Sequence, residues 1–108
     1  MADCLWTPSE QRSQASLLAT FMTQYGPFDD YDILWQWSVA DRAAFWSAVW
    51  DFCGIIGHKG DTVLRPGGHM IEDRYFPEAR LNYAENLLRH DLPGPALIVP
   101  PKTVRGWR

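Results

Sequence analysis

The sequence predicts a mainly α chain with short β segments, and three observations carry that reading. Apolar residues recur at helical spacing in several separate stretches, residues that cap helices stand just ahead of those stretches, and Gly-Pro clusters interrupt them. At 108 residues the chain has room for one small domain. Hydrophobic residues make up 46% and charged residues 21%, a globular composition far from that of disordered chains. Six Trp, five Phe and four Tyr form an unusual load for this length. Each aromatic side chain buries about 150–250 Å², so fifteen of them need more partner surface than a lone small domain offers.

The elements follow in order. Thr7-Pro8-Ser9-Glu10 reads as a helix start, with Thr7 as cap, Pro8 at the first position and Glu10 closing a capping box. Leu17, Leu18, Phe21, Met22 and Tyr25 form its apolar stripe, and Gly26-Pro27 stops it. Asp30 or Asp32 caps a short helix through Leu34, Trp35 and Trp37, and Ser38 to Asp41 is a break followed by a new cap. From Asp41 to Cys53 the helix is apolar on two faces, Phe45, Val49 and Phe52 on one and Trp46, Trp50 and Cys53 on the other. A helix apolar nearly all round has neighbours on both sides.

Five of the eight glycines fall between Gly54 and Gly68, which marks a connecting loop with a short strand at Thr62 to Leu64. Tyr75-Phe76-Pro77 reads as an extended aromatic plug, because a residue before proline is pushed toward β or polyproline geometry. A last helix runs from Leu81 or Asn82 to His90, Pro93-Gly94-Pro95 ends it, and Ala96-Leu97-Ile98-Val99 reads as a short strand halted by Pro100-Pro101.

The charge balance bounds the partners. Ten Lys and Arg against thirteen Asp and Glu give a net charge of −3, the eight Arg are dispersed, and the only lysines are Lys59 and Lys102. That is no footprint for nucleic acid, which calls for clustered cations. Cys4 and Cys53 are too few for a disulfide framework and read as reduced thiols. With no signal peptide and no run approaching a membrane span, the expected location is cytoplasmic.

Candidate chemistry is sparse. Gly54-Ile55-Ile56-Gly57-His58-Lys59-Gly60 invites a phosphate-binding reading, yet it follows a helix and fits neither the dinucleotide fingerprint nor the P-loop, so it reads as a flexible loop. Cys53 and His58 lack the further ligands a zinc site needs, since His69 and His90 form no second pair. Asp29, Asp30 and Asp32, and again Glu72-Asp73, are read as solvated loop carboxylates rather than acid–base pairs. Ser38 and Ser47 lie in no nucleophile elbow. No catalytic, cofactor-binding or metal-ligating residue is assigned.

The most specific features are aromatic, and they carry a resemblance. Tyr31-Asp32-Ile33-Leu34-Trp35-Gln36-Trp37-Ser38-Val39, then Phe45-Trp46 and Val49-Trp50-Asp51-Phe52, then the run from Tyr75-Phe76-Pro77 through Leu81-Asn82-Tyr83-Ala84-Glu85-Asn86-Leu87-Leu88, resemble the N-terminal region of acetoacetyl-CoA synthetases and the related acetyl-CoA synthetases. Leu5-Trp6 and Pro8 fit as well. The resemblance spans Leu5 to Ile98 in order, with Tyr75 where the family more often has Trp and with Pro100 to Arg108 departing from its pattern.

It implies the N-terminal helical cap of the adenylate-forming α/β ligase fold, with residues 1–92 as the cap and 93–108 as the start of a truncated adenylation domain or a divergent tail. The implied parent reaction joins acetoacetate to coenzyme A by way of an acyl-adenylate, using ATP and Mg²⁺. None of those cofactors is expected in this chain, whose implied partner is the missing adenylation domain or another apolar surface. An acetyl-CoA or other short-chain acyl-CoA synthetase, a free-standing aromatic interaction module, and a small nucleotide-binding protein built on the glycine loop are the competing readings.

Overall fold

Among the described residues, five α-helices and four very short strands follow one another, and side-chain caps set where most of the helices begin. The computed structural model describes residues 3–90, 92–95 and 98–99. Helix α1 (Glu10–Gln14) starts where Ser9 Oγ accepts from the Arg12 N–H at 3.3 Å. Helix α2 (Leu17–Tyr25) starts one turn later, where Ser16 Oγ accepts from the Ala19 N–H at 3.1 Å. The helix expected from Thr7 is therefore two helices. Ser9 replaces Thr7 as the cap, and the chain breaks at Ala15-Ser16 because Ser16 offers the backbone a new N-terminus just ahead of the apolar stripe.

Gly26-Pro27 ends α2 through a cis peptide bond. A side chain at Gly26 would run into the Met22 carbonyl oxygen and the Phe28 backbone. Asp30 caps α3 (Tyr31–Ala40), its Oδ1 accepting from the Ile33 N–H at 2.9 Å. Ser38 does not break this helix, because its hydroxyl donates back to the Trp35 carbonyl at 2.7 Å. The break comes at Asp41, whose Oδ1 accepts from the Ala44 N–H at 3.0 Å and opens α4 (Arg42–Phe52).

Beyond α4 the chain folds back in two antiparallel pairs. Strand β1 (Gly57–His58) pairs with β4 (Arg80–Leu81), and β2 (Leu64–Arg65) pairs with β3 (Arg74–Tyr75). The expected strand at Thr62 to Leu64 thus sits at Leu64–Arg65, and β1 was read as loop. A short 3₁₀ turn covers Met70–Glu72. The last helix, α5 (Tyr83–Leu87), is capped by Asn82, whose Oδ1 accepts from the Glu85 N–H at 3.1 Å, and it stops well before His90.

Phe76 departs from expectation. It sits at φ 48°, in the left-handed region, rather than in the extended geometry a following proline favours. Its N–H donates to the Val63 carbonyl at 2.8 Å and its ring lies 4.9 Å from Trp50, contacts that hold it there. Of the expected terminal strand, Ala96 and Leu97 lie outside the described residues, while Ile98 and Val99 take no regular structure.

The buried centre is small. Phe21, Leu34 and Ala48 are enclosed, and Met22, Tyr25, Phe28, Trp37, Phe45, Val49 and Phe52 pack around them half-buried. The accessible surface is 9883 Å², against about 6,100 Å² for a closely folded monomer of 12.4 kDa. No helix among the described residues is long and apolar enough to cross a membrane.

Candidate functional site

Helix α4 is the centre of the arrangement, with rings on two sides as its sequence predicts. Toward α2 and α3, Phe45 lies 6.3 Å from Phe21 and 5.8 Å from Trp37, and Phe52 lies 5.2 Å from Phe21. Toward the strands, Trp46 lies 5.8 Å from Tyr75 and Trp50 lies against Phe76. Edge-on pairs of this kind add about 0.5–1.5 kcal/mol beyond the area they bury. Cys53, placed on the second face by sequence, is exposed and unpaired, as is Cys4.

The two sides differ in how they are finished. Against the strands, α4 is tied down by a polar seam, with Trp46 left 41% exposed beside it. Arg42 Nη1 donates to Asp73 Oδ2 at 2.6 Å and to the Tyr75 hydroxyl at 3.2 Å. Lys59 Nζ donates to Ser47 Oγ at 3.0 Å and pairs with Asp51 at 2.7 Å. Arg89 donates to the carbonyls of Cys53 and Gly54. Asn86 holds Ile56 by both backbone groups, accepting from its N–H at 2.7 Å and donating to its carbonyl at 2.9 Å.

These contacts answer the phosphate reading of the glycine loop. The Gly54 and Ile55 N–H groups donate to the Asp51 and Trp50 carbonyls and that of Ile56 to Asn86, and the Lys59 ammonium is already paired. Glu78 Oε2 takes the next two N–H groups, those of Asp61 at 3.1 Å and Thr62 at 2.9 Å. An anion would have to displace carboxylates, which the arrangement opposes.

The carboxylates read as solvated in sequence divide. Asp73 is only 6% exposed at its side chain, and the Gly67 N–H together with Arg42 holds its carboxyl below the usual range. Glu72 accepts from the Gly68 and His69 N–H groups. Glu78 is held below the usual range by the Thr62 N–H first, then by the Thr62 side chain and the Asp61 N–H. The Arg42 guanidinium is pushed up by the same Asp73 contact. Hydrogen bonds to the ionised form explain both carboxyl shifts, and the direction is wrong for an acid–base catalyst working near neutral pH. These groups tie loops together.

Asp29 and Asp32 remain exposed, with Asp30 engaged as a cap. Ser38 and Ser47 make the contacts given above. No three of the described His, Cys, Asp and Glu residues come together as metal ligands. Sequence reasoning did not single out Asn86, Arg89, Glu78 or Arg42, because each acts across more than 15 residues of chain and no local pattern announces such a partner.

Away from the strands, α4 is open. A groove of about 360 Å³ runs between α2, α3 and α4, lined by Leu17, Leu18, Phe21, Tyr31, Leu34, Trp35, Ser38, Phe45, Val49 and Phe52. Leu17 is 76% exposed and Trp35 53%, so this face has apolar surface without a partner.

A family model described as the acetyl-coenzyme A synthetase N-terminus matches residues 31–87. The chain belongs to that family. The matched span begins at the first residue of α3 and ends at the last residue of α5, so the acetyl-coenzyme A synthetase N-terminus unit is α3, α4, the strand pairs and α5, bound by the polar seam. The chain is 46% identical over 99 residues to acetoacetyl-coenzyme A synthetase of Rhizobium meliloti, covering 87% of this chain and 15% of that protein. Acetoacetyl-CoA synthetase of Danio rerio is 38% identical over 91 residues, 80% of this chain and 14% of that protein. Malonamoyl-CoA synthetase of Penicillium aethiopicum is 34% identical over 96 residues, 84% of this chain and 13% of that protein. The chain therefore spans about one seventh of the length of these curated relatives. No solved structure matches significantly.

Proposed function

We propose that the chain is the N-terminal structural part of a cytoplasmic acetoacetate-CoA ligase and that its open face packs against the adenylation domain of that enzyme. The observation that carries this reading is the 46% identity over nearly the whole chain to a protein named acetoacetyl-coenzyme A synthetase. The apolar groove between α2, α3 and α4 supports it, because Leu17 and Trp35 leave apolar surface there that none of the described residues covers.

The parent reaction has two steps. The acetoacetate carboxylate attacks the α-phosphorus of ATP, forming acetoacetyl-adenylate and releasing pyrophosphate; the coenzyme A thiol then attacks the acyl carbon, forming the thioester and releasing AMP. Mg²⁺ offsets phosphate charge in the first step. The residues of this chain hold α4 and its aromatic faces in position and touch none of the reacting atoms. One relative is named as an acetoacetyl-coenzyme A synthetase and another as a malonamoyl-CoA synthetase, which supports a scaffold role for this region with acid selection elsewhere in the parent enzyme.

The reading is tested in two assays. The purified chain, given ATP, Mg²⁺, acetoacetate and coenzyme A, is expected to form no acetoacetyl-CoA. Residues 31–87 of this chain, exchanged for the matching segment of the Rhizobium meliloti enzyme, are expected to give a soluble, active chimera. Activity of the isolated chain, or a folded chimera without activity, overturns the proposal.

A further inference from the structure

The hairpin made by β2 and β3 ends in a bare apolar tip. Met70 and Ile71, in its 3₁₀ turn, are 87% and 86% exposed. The turn beneath them is held firmly: Gly68 and His69 donate their N–H groups to Glu72, and Gly67 donates its own to Asp73, which also receives Arg42. Both carboxylates of the turn are therefore engaged within it. The guanidinium groups beside it are not. Arg65 and Arg74 stand directly opposite each other in the antiparallel register and so share one face of the hairpin, where like charges repel. Arg74 reaches only the Ile71 and Asp73 carbonyls, and Arg65 approaches Glu78 at 3.8 Å.

The groove between α2, α3 and α4 has the opposite character. Between Arg12 and Arg42 there is no Lys or Arg, while Asp29, Asp30, Asp32 and Asp41 lie in that stretch, which builds α2 and α3. Tyr31 lines the groove, is 59% exposed, and stands between Asp30 and Asp32 in sequence. Among the described residues neither Asp29 nor Asp32 takes part in an ion pair. The trough is thus apolar, with carboxylates at the start of α3 and no cation in its lining. We propose that a second copy of this chain covers the groove: Met70 and Ile71 of one copy seat in the trough of the next, with Arg65 and Arg74 set against its Asp29 and Asp32.

The two surfaces match in charge, in shape and in area. Cations without close partners on the tip meet carboxylates without partners beside the groove. A thioether fills irregular gaps between rings, and guanidinium groups stack favourably on exposed rings such as Tyr31 and Trp35. A turn already fixed by Glu72 and Asp73 loses little freedom on docking. The accessible surface of 9883 Å² exceeds the roughly 6,100 Å² of a closely folded monomer by far more than the about 800 Å² that a stable interface takes from each partner. The tip serves another copy because Arg42 and Asp73 fix it to α4 on the side of the strands, whereas Phe45, Val49 and Phe52 wall the groove on a different face of that helix. Contact between two unlike surfaces runs head to tail. The inference does not rest on the ligase reading. The groove cannot hold a second copy and an adenylation domain together, so this association belongs to the chain while no such domain occupies it.

Analytical ultracentrifugation of the full chain over a range of concentrations tests it. The average mass is expected to rise with concentration above the 12.4 kDa of one chain. Ile71→Asp on the tip and Asp32→Arg beside the groove, both at exposed positions, are each expected to weaken the association about tenfold or more, with the helical circular dichroism of the unaltered chain retained. Arg74→Glu and Asp29→Arg replace them if either loses that spectrum. An equal mixture of the tip and groove variants is expected to form a pair and grow no further, because the intact tip of one meets the intact groove of the other. Contact through a single self-complementary surface would not be rescued in this way. A monomer at every concentration, association that survives both substitutions, or a mixture that stays monomeric overturns the proposal. None of these outcomes bears on whether the chimeric ligase is active.

Discussion

Asp73 shows how one carboxylate fastens two parts of the chain. It receives the Gly67 N–H at 2.9 Å and Arg42 at 2.6 Å while almost wholly covered, so its ionised form is favoured in the folded chain. A carboxyl whose folded pKa lies below its unfolded value stabilises the fold above the unfolded pKa, and that stability is lost as pH falls through the folded value. Acid titration followed by tryptophan emission is therefore expected to show destabilisation that grows as pH drops below about 4, the ordinary Asp range, and Asp73→Asn is expected to flatten that slope. Superimposable acid profiles for the two proteins would exclude this role. Phe76 is the other residue of note. A non-glycine residue at φ 48° costs about 1–3 kcal/mol, and Phe76 keeps that geometry because its ring packs on Trp50 and its N–H reaches Val63.

At the scale of elements, the enclosed rings decide which helices persist. Phe21 is 6% exposed and touches Tyr25, Phe45 and Phe52. Phe21→Ala is expected to cost about 3–5 kcal/mol in urea unfolding, while Leu18→Ala, at a position 46% exposed, is expected to stay near 1 kcal/mol or less. Equal losses would mean that α2 is not anchored through Phe21. Much of this layer was legible in the sequence: Asp30 and Asp41 announce α3 and α4, Gly26-Pro27 marks the end of α2, and the doubled apolar face of α4 foretold its two neighbours. The split at Ser16 was less visible, because Thr7-Pro8 and Ser16 both offer starts and only the onset of the stripe at Leu17 favours the second. The strand pairs were largely illegible. Two-residue strands have no periodicity, and their register depends on Asn86 and Glu78, which reach across the chain. The open groove was legible only as an excess of aromatics, since a sequence counts rings without saying which lack a neighbour.

For the whole molecule, the Cα radius of gyration is 20.0 Å, against about 13 Å for a compact domain of 100 residues. Small-angle scattering from the isolated chain is expected to give a value well above the compact one; a value near 13 Å would mean that the layers close on each other in solution. The stretched shape agrees with the surface excess and with an open face beside α4. The same helix has a further consequence. Because α4 forms one wall of the helical layer and one wall of the seam, neither layer retains a packing surface once α4 unwinds, and its loss removes Phe45 and Phe52 from one and Trp46 and Trp50 from the other. A thin, extended chain of this kind is ordinarily free to fray in pieces, but here the shared helix couples the two layers into a single cooperative unit.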